Sequence, residues 1–374
     1  MRDRAQQAGF RAPKASLTVA LLAALALAAS ASPATAASTS VVNGKITTIS
    51  EWPWQVAITE VQRPGQKRSH RARFFCGGSL ITPDLVITAG HCVAPLKPRQ
   101  ARKIEIVSGR TRLNNESQGQ TARVASVLMP LDSRGKRRYD GRNGGAKWDV
   151  ALLQLKTPLP GATIKLAGED ESDSWAPGHP VTTTGWGVTG FNNRKGSAVL
   201  RVANQVMLSD QVCRRFNGKR GYDARTMNCL GGPATHSSSC FGDSGGPLVA
   251  AVGAEYRLVG LTSFGDPFCS PYLPSVDSRV AGAPMKTWVQ QTASRISGVD
   301  VVGSGGSVEP DRAWCRIPAL GGLRVSRART KLIDAGCRIG RIVRSSPGGR
   351  VIAASFIQGW LAPVGTRIKL WVGP

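Results

Sequence analysis

Residues 240–249 read CFGDSGGPLV. Ser244 follows an acid, Asp243, precedes two glycines and stands four residues after Cys240. Two readings are open from this stretch alone. It is a glycine-rich turn entering a strand, or it presents a nucleophilic serine. A nucleophilic serine needs a base, an acid that orients the base, and donors for the developing oxyanion. The rest of the chain decides whether these exist.

The sequence holds four histidines, His70, His91, His179 and His236. His91 closes the apolar run of VITAGHCVA, residues 86–94, beside a cysteine. On that segment alone it also reads as a buried structural histidine. His70 lies in a basic loop, and His179 and His236 lie in Gly/Pro- or Ser-rich turns, so all three are expected at the surface. Asp149 opens DVALLQL, residues 149–155. A carboxylate directly before a buried-looking run is costly unless hydrogen-bonded. A histidine would satisfy it, although Asp149 also reads as an ordinary residue at a strand start.

Around these positions, residues 41–295 are short apolar runs broken by Gly, Pro, Asn and Asp, with almost no helical periodicity. That pattern predicts an all-β sandwich or barrel. Two Lys/Arg-rich loops, 62–73 and 133–147, read as solvated surface. In APMKTWVQQTA, residues 283–293, Met285, Trp288 and Val289 fall at helical spacing and predict one short helix. The Gly/Ser-rich stretch that follows reads as a linker over 296–313.

Taken in order, VITAGHC, DVALL and GDSGGP resemble the chymotrypsin/trypsin family of serine proteases. VVNG (41–44), EWPWQVAI (51–58), CGGSLI (76–81), TGWG (184–187) and SFG (263–265) extend the resemblance over about 41–295. The resemblance implies two six-stranded antiparallel β-barrels with a C-terminal helix, and a serine endopeptidase needing no cofactor. It implies Ser244 as nucleophile, His91 as general base, Asp149 as the orienting acid, and the N–H groups of Gly242 and Ser244 as the oxyanion hole. Asp243 would pair with the amine of Val41 after a four-residue pro-segment, 37–40, is removed. Ser40 stands where relatives often carry a basic residue, which argues against a trypsin-like activator.

The same resemblance places Ser238 on the floor of the substrate pocket, with Ser263, Gly265, Ser275 and Asp277 around it. A neutral Ser238 fits an apolar or aromatic P1 side chain, which is favoured over a basic or a small one. Ser275 and Asp277 depart from the family's usual glycine and tyrosine; the first would narrow the pocket and the second would bring negative charge near its floor. No metal is expected, because the loop that binds calcium in some relatives here reads SGRTRLNNES, with Arg110 at its first ligand place and Glu116 its only acid.

At the N-terminus, Arg2, Arg4, Arg11 and Lys14 precede an apolar stretch, 17–31, and then Ala34-Thr35-Ala36. This predicts a signal peptide over 1–36, with no membrane span once it is removed, and a secreted, extracellular or wall-associated protein. Export makes the eight cysteines readable as four disulfides, and no C-x-x-C pair supports zinc. The family resemblance implies Cys76–Cys92, Cys213–Cys229 and Cys240–Cys269, with Cys315 and Cys337 remaining.

Formal net charge is +26, and residues 314–374 carry eleven Lys/Arg against one acid, Asp334. Such a field favours anionic partners. A helix capped by Ser326 and running to Ala335, followed by three strand-like stretches, predicts a small α+β module over 314–374. CRIPALGG, RVSRARTKLIDAG, CRIGRIV and PVGTRIKLWV resemble a PASTA domain. That resemblance implies a module able to bind peptidoglycan, or an anionic cell-wall polymer, through 314–374. Nucleic acid is not expected, since the basic stretches lack aromatic platforms or a readable motif. The competing class is a catalytically inactive binding protein on a trypsin-like fold, which loss of His91, Asp149 or Ser244 would have marked.

Overall fold

The computed structural model describes residues 42–96, 98–142, 145–190, 196–231, 237–304, 314–345, 349–354, 361–363 and 367–374. The expected signal and pro-segments, Val41 and His236 lie outside the described residues.

A short strand β1 (Lys45–Ile46) leads into β2 (Gln55–Glu60), β3 (Phe74–Thr82), β4 (Leu85–Thr88), β5 (Ile104–Ser108), β6 (Gln120–Leu128) and β7 (Ala151–Leu155). Strands β2 to β7 close into an antiparallel barrel in the order β2-β3-β4-β7-β6-β5. Val56, Ile58, Leu80, Val86, Ile106, Val124 and Leu153 fill its interior. Each strand contributes alternate residues to that core, as the two-residue side-chain period requires.

The second barrel contains β8 (Pro180–Gly185), β9 (Arg201–Leu208), β10 (Met227–Gly231), β11 (Pro247–Val252), β12 (Glu255–Phe264) and β13 (Ser275–Ser278). Its order is β9-β10-β13-β12-β11-β8, and β8 closes back on β9 with Pro180 opposite Val206 and Gly185 opposite Arg201. Strand β1 pairs with the start of β9, Lys45 opposite Val202, where β10 does not reach. Closure leaves no exposed strand edge on the barrel itself. The two expected six-stranded antiparallel barrels are therefore present.

Among the described residues, three α-helices accompany the barrels: α1 (His70–Arg73), α2 (Asp210–Gly221) and α3 (Met285–Ser297). The predicted C-terminal helix is α3, which ends four residues beyond the stretch 283–293 that indicated it. It buries Met285, Val289 and Ala293, one turn apart, and ends at Gly298 with φ +67°. The stretch read as a linker from residue 296 is packed as far as Gly303. Val301 is 1% exposed, and Leu166 exchanges backbone hydrogen bonds with Val301 and Gly303. Gly/Ser composition hid this, because one buried valine and a short backbone ladder are enough to hold the segment down.

The C-terminal unit is α+β. It holds β14 (Trp314–Arg316), α4 (Val325–Asp334), β15 (Arg338–Arg344), β16 (Arg350–Ala354), β17 (Leu361–Pro363) and β18 (Arg367–Gly373). Strand β18 is central, parallel to β15 and antiparallel to β16. Ala328 and Leu332 bury one face of α4 against Ile368 and Leu370. Helix α4 starts one residue before Ser326, with Arg324 at the cap position and no side-chain cap, so the predicted serine cap is not used. All four disulfides are formed: Cys76–Cys92, Cys213–Cys229, Cys240–Cys269 and Cys315–Cys337.

Candidate active site

The antiparallel ladder of β4 and β7 builds the first half of the site. Thr88 at the end of β4 lies opposite Ala151 at the start of β7. The chain leaves β4 through a 3-10 turn, Gly90–Cys92, which carries His91. It enters β7 just after Asp149. His91 and Asp149 are thus brought together by register. A Cβ on Gly90 would lie 3.3 Å from Asp149 Oδ1 and 3.1 Å from Val150 N, so this turn has little room for a side chain.

Asp149 is fully buried and well supplied with donors. Its Oδ1 accepts the His91 backbone N–H at 2.6 Å, and Oδ2 faces His91 Nδ1 at 2.8 Å. Ser263 Oγ, from β12, donates to Oδ2 at 2.5 Å. Ser278 Oγ, from β13, donates to the Asp149 carbonyl at 2.6 Å. Both barrels therefore hold one carboxylate. Burial disfavours the charged imidazole of His91, but the hydrogen bond and negative charge of Asp149 outweigh it and raise the ring above its ordinary 6.5.

Ser244 sits on the loop before β11. Its carbonyl accepts from Gly77 N at 2.8 Å, and Gly245 N donates to Thr262 O at 2.8 Å, so the loop is held by both barrels. Gly242 has φ +95° and Gly245 φ +74°, conformations that favour glycine. A Cβ on Gly245 would stand 2.1 Å from Thr88 Oγ1, which excludes any side chain there. Neither the Gly242 nor the Ser244 N–H donates to a backbone carbonyl among the described residues. Donors left without a backbone carbonyl on the serine's own loop can stabilise an oxyanion.

Asp243, the residue before Ser244, is fully buried, and burial pushes its carboxyl up to about 6. It accepts Gly187 N at 2.8 Å and Cys240 N at 2.9 Å. Gly187 has no space for anything larger, since its Cβ would fall 2.5 Å from the Asp243 carboxyl. Val42, just after the expected new terminus, already pairs with Ser238.

His91 and Ser244 line one cavity of about 420 Å³ together with Ser238, Ser263, Gly265 and Ser275. Ser238 Oγ donates to Cys269 O at 3.2 Å, leaving a neutral floor. Ser275 Cβ would lie 3.2 Å from a Cβ on Gly265, so these two positions approach closely across the slot. Asp277 does not line the cavity; it is 1% exposed behind that wall. On the other side of Phe241 a second hollow of about 640 Å³ runs past Gly242 over Phe74, Phe75 and Trp186.

One histidine departs from expectation. His70 is buried, not at the surface, because α1 folds the basic loop onto β5. Its ring lies 2.8 Å from Glu116 Oε1 and 3.1 Å from Glu105 Oε2. Arg110 fills the SGRTRLNNES loop, with Nε donating to Gln118 O and Nη1 3.0 Å from His70 Nδ1. Motif reading missed Ser278 and Thr262, which barrel register places, and gave no role to Gly187 within TGWG or to Phe241 within CFGDSGGPLV, which act through close approach to Asp243 and to the cavity. His179 stands half-buried at the entry to β8, far along the chain from His91.

The Trypsin family model matches residues 41–289. The chain is similar to a protein described as Trypsin from Saccharopolyspora erythraea, 32% identical over 240 residues, which cover 64% of this chain and 93% of that protein. With two closed barrels meeting at a buried aspartate, a histidine and a serine followed by two glycines, the chain belongs to the trypsin family, and its residues 41–289 form a chymotrypsin-like serine protease domain.

Proposed function

We propose that the chain is an exported serine endopeptidase that works through an acyl-enzyme on Ser244. The observation that carries this reading is the Asp149–His91 pair, hydrogen-bonded at 2.8 Å and opening on the cavity that Ser244 also lines. Asp149 keeps a proton on His91 Nδ1, so Nε2 is free to accept one. Ser244 Oγ attacks the scissile carbonyl as Nε2 takes its proton. The negative oxygen is held by the N–H groups of Gly242 and Ser244, each worth about 3 kcal/mol in the transition state. His91 then returns the proton to the leaving amine, and water repeats the sequence to release the acid.

Activation follows from Asp243. Its buried carboxylate has two backbone donors but no cation among the described residues. The amine of Val41, freed by removal of 37–40, supplies that charge and fixes the loop carrying the oxyanion donors. The signal-like N-terminus and four disulfides favour an oxidising, extracellular location. The described residues contain no helix long and apolar enough to cross a membrane.

The C-terminal unit is a PASTA-like module that directs the protease to anionic cell-wall polymer. Exposed Arg327, Arg329, Lys331, Arg338, Arg341, Arg344 and Arg367 support this, against the single acid Asp334. Peptide hydrolysis by the mature chain, with Ser244→Ala as control, tests the enzymatic part; turnover that survives the substitution overturns it. Co-sedimentation of the full chain with purified cell wall tests the second part. Binding lost between about 50 and 200 mM salt supports it, and no binding at the lower salt overturns it.

A further inference from the structure

Asp277 is a buried charge that the proposed mechanism leaves unused. It lies on β13, with Asn228 of β10 opposite it on one side and Thr262 of β12 on the other. Directly paired residues of antiparallel strands share a face of the sheet. The three side chains therefore form one polar row. Both carboxylate oxygens of Asp277, Oδ1 of Asn228 and Oγ1 of Thr262 are buried without a hydrogen-bond partner. Asn228 Nδ2 donates to Val259 O at 3.0 Å, which leaves the amide's acceptor as the unpartnered atom. Thr262 is also part of the cavity wall that holds Ser238 and Ser275. The row thus runs inward from the substrate cavity, and it is rich in acceptors.

Burying an ionised carboxylate without a partner is costly unless something supplies positive charge. Among the described residues the charged groups acting on Asp277 are acids, Asp149 and Asp243. The Ser263 N–H faces it but falls short of hydrogen-bond geometry. Thr262, which lines the cavity, is the end of the row nearest to it. We propose that Asp277 is a specificity-determining residue that makes this cavity prefer a cationic P1 side chain, lysine or arginine, although its floor residue Ser238 is neutral. The cation acts across the Thr262 and Ser275 wall by field, without direct contact. This rests on reading the cavity as the P1 pocket of a Ser244 protease.

The mechanism has a pH signature. Burial first, and then the facing Asp149 and Asp243, push the Asp277 carboxyl up to about 7. Below that pH the pocket is neutral; above it the pocket is negative. A cation in the pocket draws the proton off Asp277, so preference for P1 lysine grows as pH rises.

The test measures kcat/KM of the mature full chain on two peptides that differ only in P1, lysine against leucine. The ratio of the two cancels the titration of His91, which both substrates share. The expected ratio favours lysine and rises about tenfold between about pH 6 and about pH 8. In Asp277→Asn the ratio is flat and lower by about tenfold at the upper pH, the loss falling mainly on the lysine substrate. If that variant does not fold, the wild-type pH dependence of the ratio decides alone. A ratio that favours leucine or does not change with pH overturns the proposal, provided an organophosphate labels the enzyme. If no labelling occurs, the Ser244 reading fails, and this proposal fails with it.

Discussion

Replacing Asp149 with asparagine should disable the site while leaving the fold in place. The carboxylate takes three donors: His91 N–H at 2.6 Å, His91 Nδ1 at 2.8 Å and Ser263 Oγ at 2.5 Å. An amide offers one oxygen and one NH₂. With its oxygen in the Oδ1 position, the His91 backbone bond survives, but the NH₂ now faces Nδ1. That nitrogen must then accept, so the ring proton moves to Nε2, where it blocks uptake of the Ser244 proton. With the amide flipped, Nδ1–H is restored, but NH₂ meets the His91 N–H, leaving buried donors unpaired at about 1–3 kcal/mol. The wrong tautomer is therefore the favoured state. Its expected effect is a loss of about 10⁴ in kcat, or about 5 kcal/mol in barrier, with KM little changed. The assay is steady-state hydrolysis of a chromogenic peptide, with thermal unfolding as a check on folding. A variant that keeps kcat within about tenfold of the parent would show that Asp149 does not set the tautomer, and would refute this reasoning.

Four further outcomes are expected. Gly187→Ala drives a Cβ to 2.5 Å from the Asp243 carboxyl, so oxyanion stabilisation should fall by about 10² in kcat while KM changes less; an unaltered kcat would dissociate Asp243 from the hole. Removing Cys240–Cys269, which spans 29 residues, should destabilise the domain by about 3 kcal/mol in denaturant titration; no shift in midpoint would contradict this. Activity should rise with pH on an acid limb centred above the ordinary histidine value of 6.5, because Asp149 raises His91 and only the neutral ring accepts a proton; a limb below 6.5 would count against that pair. The native state holds a proton on Asp277 up to about pH 7, against 3.8 for an unperturbed carboxyl. Folded protein thus binds more protons between these values and stability falls as pH rises through them; Asp277→Asn should flatten that fall, as read by chemical denaturation.

The segments around His91, Asp149 and Ser244 are legible in the amino-acid sequence because each chemical role needs a residue type at a fixed local spacing. Short apolar runs between turn residues point to the β class, and the helical spacing of Met285 and Val289 points to α3. Other features depend on long-range register. Ser278 and Ser263 look like ordinary strand residues until β12 and β13 bring them to Asp149. Asp277 stands out as an odd charge, but its burial beside Asn228 and Thr262 emerges only when β10, β13 and β12 align. His70 escapes sequence reading because a loop rich in Lys and Arg looks solvated, whereas Glu105 and Glu116 draw it inward. Val301 is lost in a Gly/Ser-rich stretch for the opposite reason, one apolar contact being too little to form a pattern.

Ser244 acting as a nucleophile activated by His91 is the claim on which the rest depends. Treating the mature chain with an organophosphate and locating the adduct by peptide mass spectrometry tests it most directly. The expected result is one equivalent of adduct per chain, on the peptide containing Ser244, with labelling abolished in Ser244→Ala and strongly slowed in Asp149→Asn. An adduct on another residue, or a mature folded chain that takes up no label, would contradict it.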